Sequence, residues 1–232
     1  MLHSVDPGAT GLQQRPLPDF AEAPTATSDA AADIAVVVGS LGAPQAIRLI
    51  VAGLPSWFPA AVVVVQHRTV AAQDVTVYLL QRAAKLEVQP ASEHEPLRTG
   101  VVYVTPAEGD LVVGACGRFT RRLPAHFARP ADALLASVAE AFGPRASAVV
   151  LSGTNDDGAA GVIALKRAGG RVIVQDRQSA RCYTMPSAAI ATGCVDMVLP
   201  LDRIAHALVT LVGWPGASSL LRAPLAAWAS LD

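Results

Sequence analysis

The stretch DIAVVVGSLGAPQAIRLIVAGL, residues 33–54, decides the fold. Its opening DIAVVV is a continuous apolar, β-branched run, the mark of a strand buried on both faces. GSLGAP follows as a turn, and QAIRLIVAGL has helical spacing. The same order recurs along the chain. AAVVVVQ (60–66) is a second buried strand, followed by the helically spaced AQDVTVYLLQRAAK. SAVVLSG is another, followed by GAAGVIALKRAGG with a Gly-Gly stop. RVIVQ, a loop, PSAAIATG, VDMVLP and DRIAHALVTLVG continue the alternation, and ADALLASVAEAFG (131–143) is an amphipathic helix ending at Gly143-Pro144. VVYVTP, DLVVGA and GRFTRRL are shorter runs divided by Gly, Glu and Asp, which predicts a β-hairpin region. Buried strands alternating with helices define an α/β fold: a doubly wound, mostly parallel sheet with helices on both faces and a β-hairpin insertion.

The 232 residues, 52% hydrophobic and 16% charged, suit one large α/β domain or two small ones that stand without staples. A formal net charge of -1 gives no overall positive field, so neither nucleic acid nor an anionic membrane is an expected partner. The three cysteines, Cys116, Cys182 and Cys194, are far apart and odd in number, which fits neither a disulfide framework nor a CxxC metal pattern. Mean hydropathy is +0.39, but it comes from short apolar runs. None approaches the roughly 20 residues of a membrane span. Residues 1–32 carry several acids and prolines and no basic segment followed by an apolar one, so they do not read as a leader. The expectation is a cytoplasmic protein with a disordered N-terminal arm (1–32), one domain (33–213) and a tail (214–232) whose Trp214 and Trp228 either pack or float.

Ligands of doubly wound sheets bind at the carboxyl ends of the strands, near where strand order reverses. Three of the buried strands end in reactive side chains there: Gly39-Ser40-Leu41-Gly42, Gln66-His67-Arg68, and Ser152-Gly153-Thr154-Asn155-Asp156-Asp157-Gly158. A hydroxyl, an imidazole and two carboxylates at one edge are what acyl transfer needs. Serine attacks only when a base takes its proton, and the imidazole needs a carboxylate to set its tautomer. A turn opening a helix adds backbone N–H groups able to hold an oxyanion. Each residue alone has a duller explanation. Ser40 fits a tight turn, His67 a strand end, and Asp157 the N-cap of the helix starting near Gly158, with Asp156 competing for any role. Their joint placement favours Ser40 as nucleophile, His67 as base and Asp157 as its orienting carboxylate. Leu41, Gly42, Thr154 and Asn155 would then form the active-site loops. No metal and no cofactor is expected, because no cluster of His, Cys or carboxylates has ligand spacing.

The order Ser, His, Asp is not that of the α/β-hydrolases, and G-x-S-x-G is missing. The chain instead resembles the protein-glutamate methylesterases of bacterial chemotaxis, the CheB type. VGSLGA (38–43) loosely matches that family's G-[AS]-S-T-G-G, and Val65-Gln66-His67 matches its Gln/Thr-x-His. LSGTNDDGAAG (151–161) matches L-T-G-M-G-N-D-G-A-x-G and puts the family aspartate on Asp157. Tyr103-Val104-Thr105-Pro106, Arg129-Pro130-Ala131-Asp132 and Met185-Pro186 are further matches, and the likeness covers about residues 33–213. It implies a methylesterase-like catalytic domain that hydrolyses γ-glutamyl methyl esters on methyl-accepting chemotaxis receptors, with deamidation of glutamines there as a second activity. Full-length members carry an N-terminal receiver of about 100 residues. Only 32 precede the first strand here, which implies a stand-alone effector domain unless a separate regulator supplies the switch.

The match is not complete. Leu41 stands for Thr, Ala43-Pro44 for the second Gly and its neighbour, Thr154-Asn155 for Met-Gly, and Arg68 for a residue that is commonly apolar. These changes leave open a catalytically idle interaction module of the same fold in a chemosensory complex. A nucleotide-binding Rossmann domain is disfavoured, since G-x-G-x-x-G is missing and His67, not an acid, ends the second strand. RFTRRLPAHFAR (118–129) carries four arginines around two Phe residues. It reads either as a solvated edge that blunts aggregation or as a dock for an acidic helix, through Arg121, Arg122 and Arg129. Arg68 and Met185 are the other expected substrate contacts.

Overall fold

The computed structural model describes residues 33–68, 75–107, 110–122, 129–214 and 216–230. The arm expected over 1–32 lies outside the described residues. In chain order the elements are β1 (Asp33–Gly39), α1 (Pro44–Gly53), β2 (Ala60–Gln66), α2 (Thr76–Gln81), β3 (Glu87–Pro90), β4 (Val101–Val104), β5 (Asp110–Val113) and β6 (Phe119–Arg122). There follow α3 (Pro130–Phe142), β7 (Ala146–Val150), α4 (Ala159–Arg167), β8 (Arg171–Gln175), α5 (Thr184–Ala191), β9 (Met197–Leu199), α6 (Leu201–Gly213) and α7 (Ala217–Leu220).

Seven strands form one sheet in the order β3-β4-β2-β1-β7-β8-β9, every pair parallel. This is the doubly wound fold expected. The period of two explains why β1 is apolar throughout. Ile34, Val36 and Val38 enter the core under α3, α4 and α5, while Ala35 and Val37 enter the one under α1, α2 and α6. All five are fully buried. Each valine so buried contributes about 1.5–3 kcal/mol, so the strand's β-branched content stabilises both layers at once.

Two expectations need correction. VVYV, read as part of the hairpin region, is β4 and pairs in parallel with β2 and β3 in the main sheet. Only β5 and β6 form the antiparallel hairpin, which packs on α3. β3 itself, EVQP, was not anticipated: it is short, polar and at the sheet edge. The helix expected over 72–85 is α2, shorter at Thr76–Gln81, with its first expected residues outside the described set.

The tail packs. Ala229 is buried, and its carbonyl accepts from Arg167 Nε at 2.7 Å. Ala223 N–H donates to Asp196 Oδ1 at 2.8 Å, and that carboxylate is ion-paired with Lys166, both side chains being fully buried. Trp228 stays half exposed.

Candidate functional site at the carboxyl ends of three strands

The register of the sheet puts the chemistry on one line. Gly39 lies opposite Gln66, and Val38 opposite both Val65 and Val150. The ladder continues past the strand ends, with His67 N–H donating to Gly39 O at 3.0 Å and Ser40 N–H to Ser152 O at 2.9 Å. Ser40 and His67 therefore follow side by side. Continuing the alternation of Ile34-Val36-Val38 and Ala61-Val63-Val65, both fall on the α3–α4 side of the sheet. Asp157 waits on that side. His67 Nε2 meets Asp157 Oδ2 at 2.7 Å.

Asp157 does not cap the helix that follows it. Its side chain is nearly buried and accepts three hydrogen bonds, from His67, from Ala131 N–H at 3.0 Å and from Asp132 N–H at 2.9 Å. It thus caps the start of α3. Asp132 returns the exchange: its Oδ1 accepts Gly158 N–H at 2.9 Å and Gly161 N–H at 2.8 Å, at the start of α4. The two helices swap carboxylate caps, each anion at the positive end of the other. Burial pushes the Asp157 carboxyl up. The hydrogen bonds from His67, Asp132 and Ala131 outweigh it, so Asp157 titrates below the usual carboxylate range and stays ionised.

The Ser40 turn is held from beneath. Buried Ser152 donates from Oγ to Leu41 O at 3.0 Å and accepts Cys182 N–H at 2.8 Å, while Gln175 Oε1 takes Ser152 N–H at 3.0 Å. Gly42 has φ +84°, and a side chain there would meet Ser152 Oγ at 2.7 Å and Arg181 Cβ at 2.8 Å. A Cβ on Gly153 would overlap Met185 Sδ and lie 3.0 Å from Ser40 Cβ. At the turn, Ser40 N–H and Ala43 N–H are engaged with Ser152 O and Ser40 O, which leaves Leu41 and Gly42 as donors there. Pro44 is the first residue of α1, where a missing N–H costs nothing. Leu41 is 63% exposed beside Ser40.

The remaining expected site residues divide. Asn155 Nδ2 is 3.3 Å from His67 Nδ1, and Thr154 is exposed on the same loop. Arg68 reaches Gln66 O at 3.2 Å and Thr105 O at 2.8 Å, so its guanidinium ties two strand ends together. Arg129 bridges Asp132 at 2.7 Å and Asp156 at 2.9 Å, bracing the loop before Asp157. Arg121 pairs with Glu93 at 3.2 Å, and Arg122 is exposed next to it. Met185, expected as a substrate contact, is 1% exposed. It is the floor under Gly153 and Ser40, not part of the rim. Asp132, Ser152 and Gln175 were not singled out. The signal for Asp132 was there: Pro130 starts a helix whose first turn holds one acid.

A parallel doubly wound sheet whose central strands bring a serine, a histidine and a buried carboxylate to one edge places the chain among α/β proteins with a site at the carboxyl ends of the strands. The particular relationship follows from comparison with known proteins. A family model described as CheB methylesterase matches residues 35–208, and the chain belongs to that family. The catalytic domain of the Thermotoga maritima CheB methylesterase superposes with a TM-score of 0.73 at 32% identity, covering 78% of this chain and 98% of that one. A protein-glutamate methylesterase/protein-glutamine glutaminase of Geobacter sulfurreducens is 35% identical over 190 residues, 78% of this chain and 50% of the relative. One from Carboxydothermus hydrogenoformans is 38% identical over 180 residues, 74% of this chain and 53% of the relative. The chain thus spans about half the length of the curated relatives it matches. Among the described residues no helix is long and apolar enough to cross a membrane.

Proposed function

We propose that the chain is a serine hydrolase that removes methyl esters from glutamate side chains of chemotaxis receptors, and deamidates glutamines at such sites. The observation that carries this is the 2.7 Å His67–Asp157 pair beside Ser40, in a member of the CheB methylesterase family. In this mechanism His67 takes the proton of Ser40 Oγ–H as Oγ bonds to the ester carbonyl. The carbonyl π pair moves to oxygen, where the Leu41 and Gly42 N–H groups of the turn hold it. Collapse expels methoxide, which takes the proton from the imidazolium and leaves as methanol. Water then repeats the sequence on the acyl-enzyme, and Asp157 stabilises the imidazolium both times.

Exposed Leu41 adds apolar surface at the mouth, and exposed Arg122, with Arg121 able to leave Glu93, supplies positive charge for an acidic receptor helix. The same reading carries a cytoplasmic location. Membership of the CheB methylesterase family, with relatives named protein-glutamate methylesterases, speaks against the idle-module alternative. A fluorophosphonate probe tests the nucleophile: labelling of wild type but not of Ser40→Ala is expected. Methanol release from methylated receptor signalling helices tests the substrate, and release unaffected by Ser40→Ala would overturn the proposal.

A further inference from the structure

His67 has a neighbour that the proposed hydrolysis does not use. Asn155 Nδ2 sits 3.3 Å from His67 Nδ1, while Asn155 Oδ1 accepts Asp157 N–H at 3.4 Å. The second contact orients the amide, oxygen toward the backbone and nitrogen toward the ring. An ionised carboxylate only accepts, so Nε2, facing Asp157, carries hydrogen. An amide nitrogen only donates, so Nδ1, facing Asn155, carries the lone pair. Both neighbours select one neutral tautomer, and in it Nδ1 is the nitrogen that must take the proton of Ser40. Among the described residues the hydrogen bond to Nδ1 comes from Asn155 and not from Ser40. Protonating Nδ1 would set its N–H against the amide N–H.

We propose that Asn155 is a positioning residue that keeps His67 in its proton-accepting tautomer and occupies that lone pair until Ser40 displaces it. The inference rests on the serine-hydrolase reading and refines it. It predicts a base that is released only when the loop yields. The position is where the resembled family has glycine, so the restraint belongs to this chain.

Other charges face His67, and none of them changes with Asn155. Asp157 lies on Nε2, and Asp132 stands behind it on α3. Arg129 pairs with Asp156 on the same loop, Arg68 is the next residue with its guanidinium on Gln66 O and Thr105 O, and Arg181 packs by Gly42. Asn155 is exposed, so Asn155→Ala leaves packing intact.

The test is 15N NMR of the whole chain with 15N-labelled histidine at alkaline pH, in which His67 is assigned by the signal lost in His67→Ala. The ring of the wild type is expected with hydrogen on Nε2 and a hydrogen-bonded lone pair on Nδ1. In Asn155→Ala the Nδ1 resonance is expected to move downfield, as that of a lone pair does when its donor is removed. At the same pH, kcat for a small methyl ester should rise several-fold with KM unchanged. A wild-type ring with hydrogen on Nδ1, an Nδ1 resonance that does not move in Asn155→Ala, or a kcat that falls overturns the proposal. The spectra need no turnover. If the chain hydrolyses nothing, the serine-hydrolase reading fails while the tautomer and the Nδ1 resonance are still measured.

Discussion

Replacing Asp157 by asparagine separates its two duties. Oδ2 accepts both His67 Nε2–H and Ala131 N–H, and Oδ1 accepts Asp132 N–H. An amide keeps one acceptor. If its nitrogen replaces Oδ2, the buried Ala131 N–H loses its partner and His67 must change tautomer, which turns Nδ1–H toward the Asn155 amide. If its nitrogen replaces Oδ1, only Asp132 N–H is orphaned, at about 1–3 kcal/mol. The second orientation wins because one orphaned donor costs less than one plus a donor–donor clash. Asp157→Asn therefore keeps the base-ready tautomer and loses only the charge that steadies the imidazolium.

A hydrogen bond to a charged group contributes about 1.5–3 kcal/mol, so kcat/KM should fall by roughly 10- to 150-fold. That is well short of the ~10⁴ expected where the substitution also flips the tautomer. Stability should fall by about 2–3 kcal/mol at pH 7, from the orphaned N–H and the missing anion at the start of α3. The pH dependence has a definite sign. The Asp157 pKa is depressed in the folded state, so its stabilisation is fully present above the unfolded value near 3.9 and is lost as pH falls through the folded one. Urea unfolding of wild type and mutant should differ most above about pH 4 and converge in stronger acid. A 10⁴-fold loss of kcat/KM together with hydrogen on Nδ1 would refute the orientation argument.

Ser40→Ala and His67→Ala should each remove nearly all hydrolysis, and the double mutant should be little worse, because the groups act as a unit. Additive losses in the double mutant would separate them. Gly153→Ala places a methyl into Met185 and against Ser40. It should cost about 1–3 kcal/mol by overpacking and depress activity further, read by thermal unfolding and probe labelling together. Lys166→Met strands the buried Asp196 carboxylate and loosens the tail held at Ala223, so a loss of about 3–5 kcal/mol is expected in chemical denaturation. Adding Asp196→Asn should recover part of it. Arg121→Glu with Arg122→Glu should raise KM for receptor helices and blunt its salt dependence while sparing a small neutral ester. Unchanged receptor kinetics would leave both as solvated edge residues.

What could be read from the sequence follows from where the information is local. Buried parallel strands announce themselves as β-branched runs, and β1, β2, β7 and β8 all do. β3 and β4 do not separate so well. EVQP gains strand structure from the edge that β4 offers it, and VVYV joins the main sheet although it is as short as the hairpin strands that follow. That the segments of Ser40, His67 and Asp157 would meet at one edge was legible because register carries three strand ends to one line. The support beneath them was not. Asp132 and Asp157 are 25 residues apart, and their exchange requires α3 and α4 to touch closely enough that a side chain on Gly161 would strike Leu135. Met185 shows the converse failure, since a motif match gives no direction to a side chain that folds inward.

The cap exchange makes the orientation of His67 a property of the core. Asp157 can hold His67 only while it sits at the start of α3, and α3 stays there because Asp132 reaches back to the start of α4. Each carboxylate is satisfied by the helix the other begins, so neither helix can shift without orphaning backbone N–H groups at both. An orphaned buried donor costs about 1–3 kcal/mol, and such a shift would orphan several. His67 is thereby steadied on its Nε2 side by two packed helices and on its Nδ1 side by a single exposed amide. Motion at this site is therefore expected in the loop bearing Asn155 rather than in Asp157, on the Nδ1 side of the imidazole.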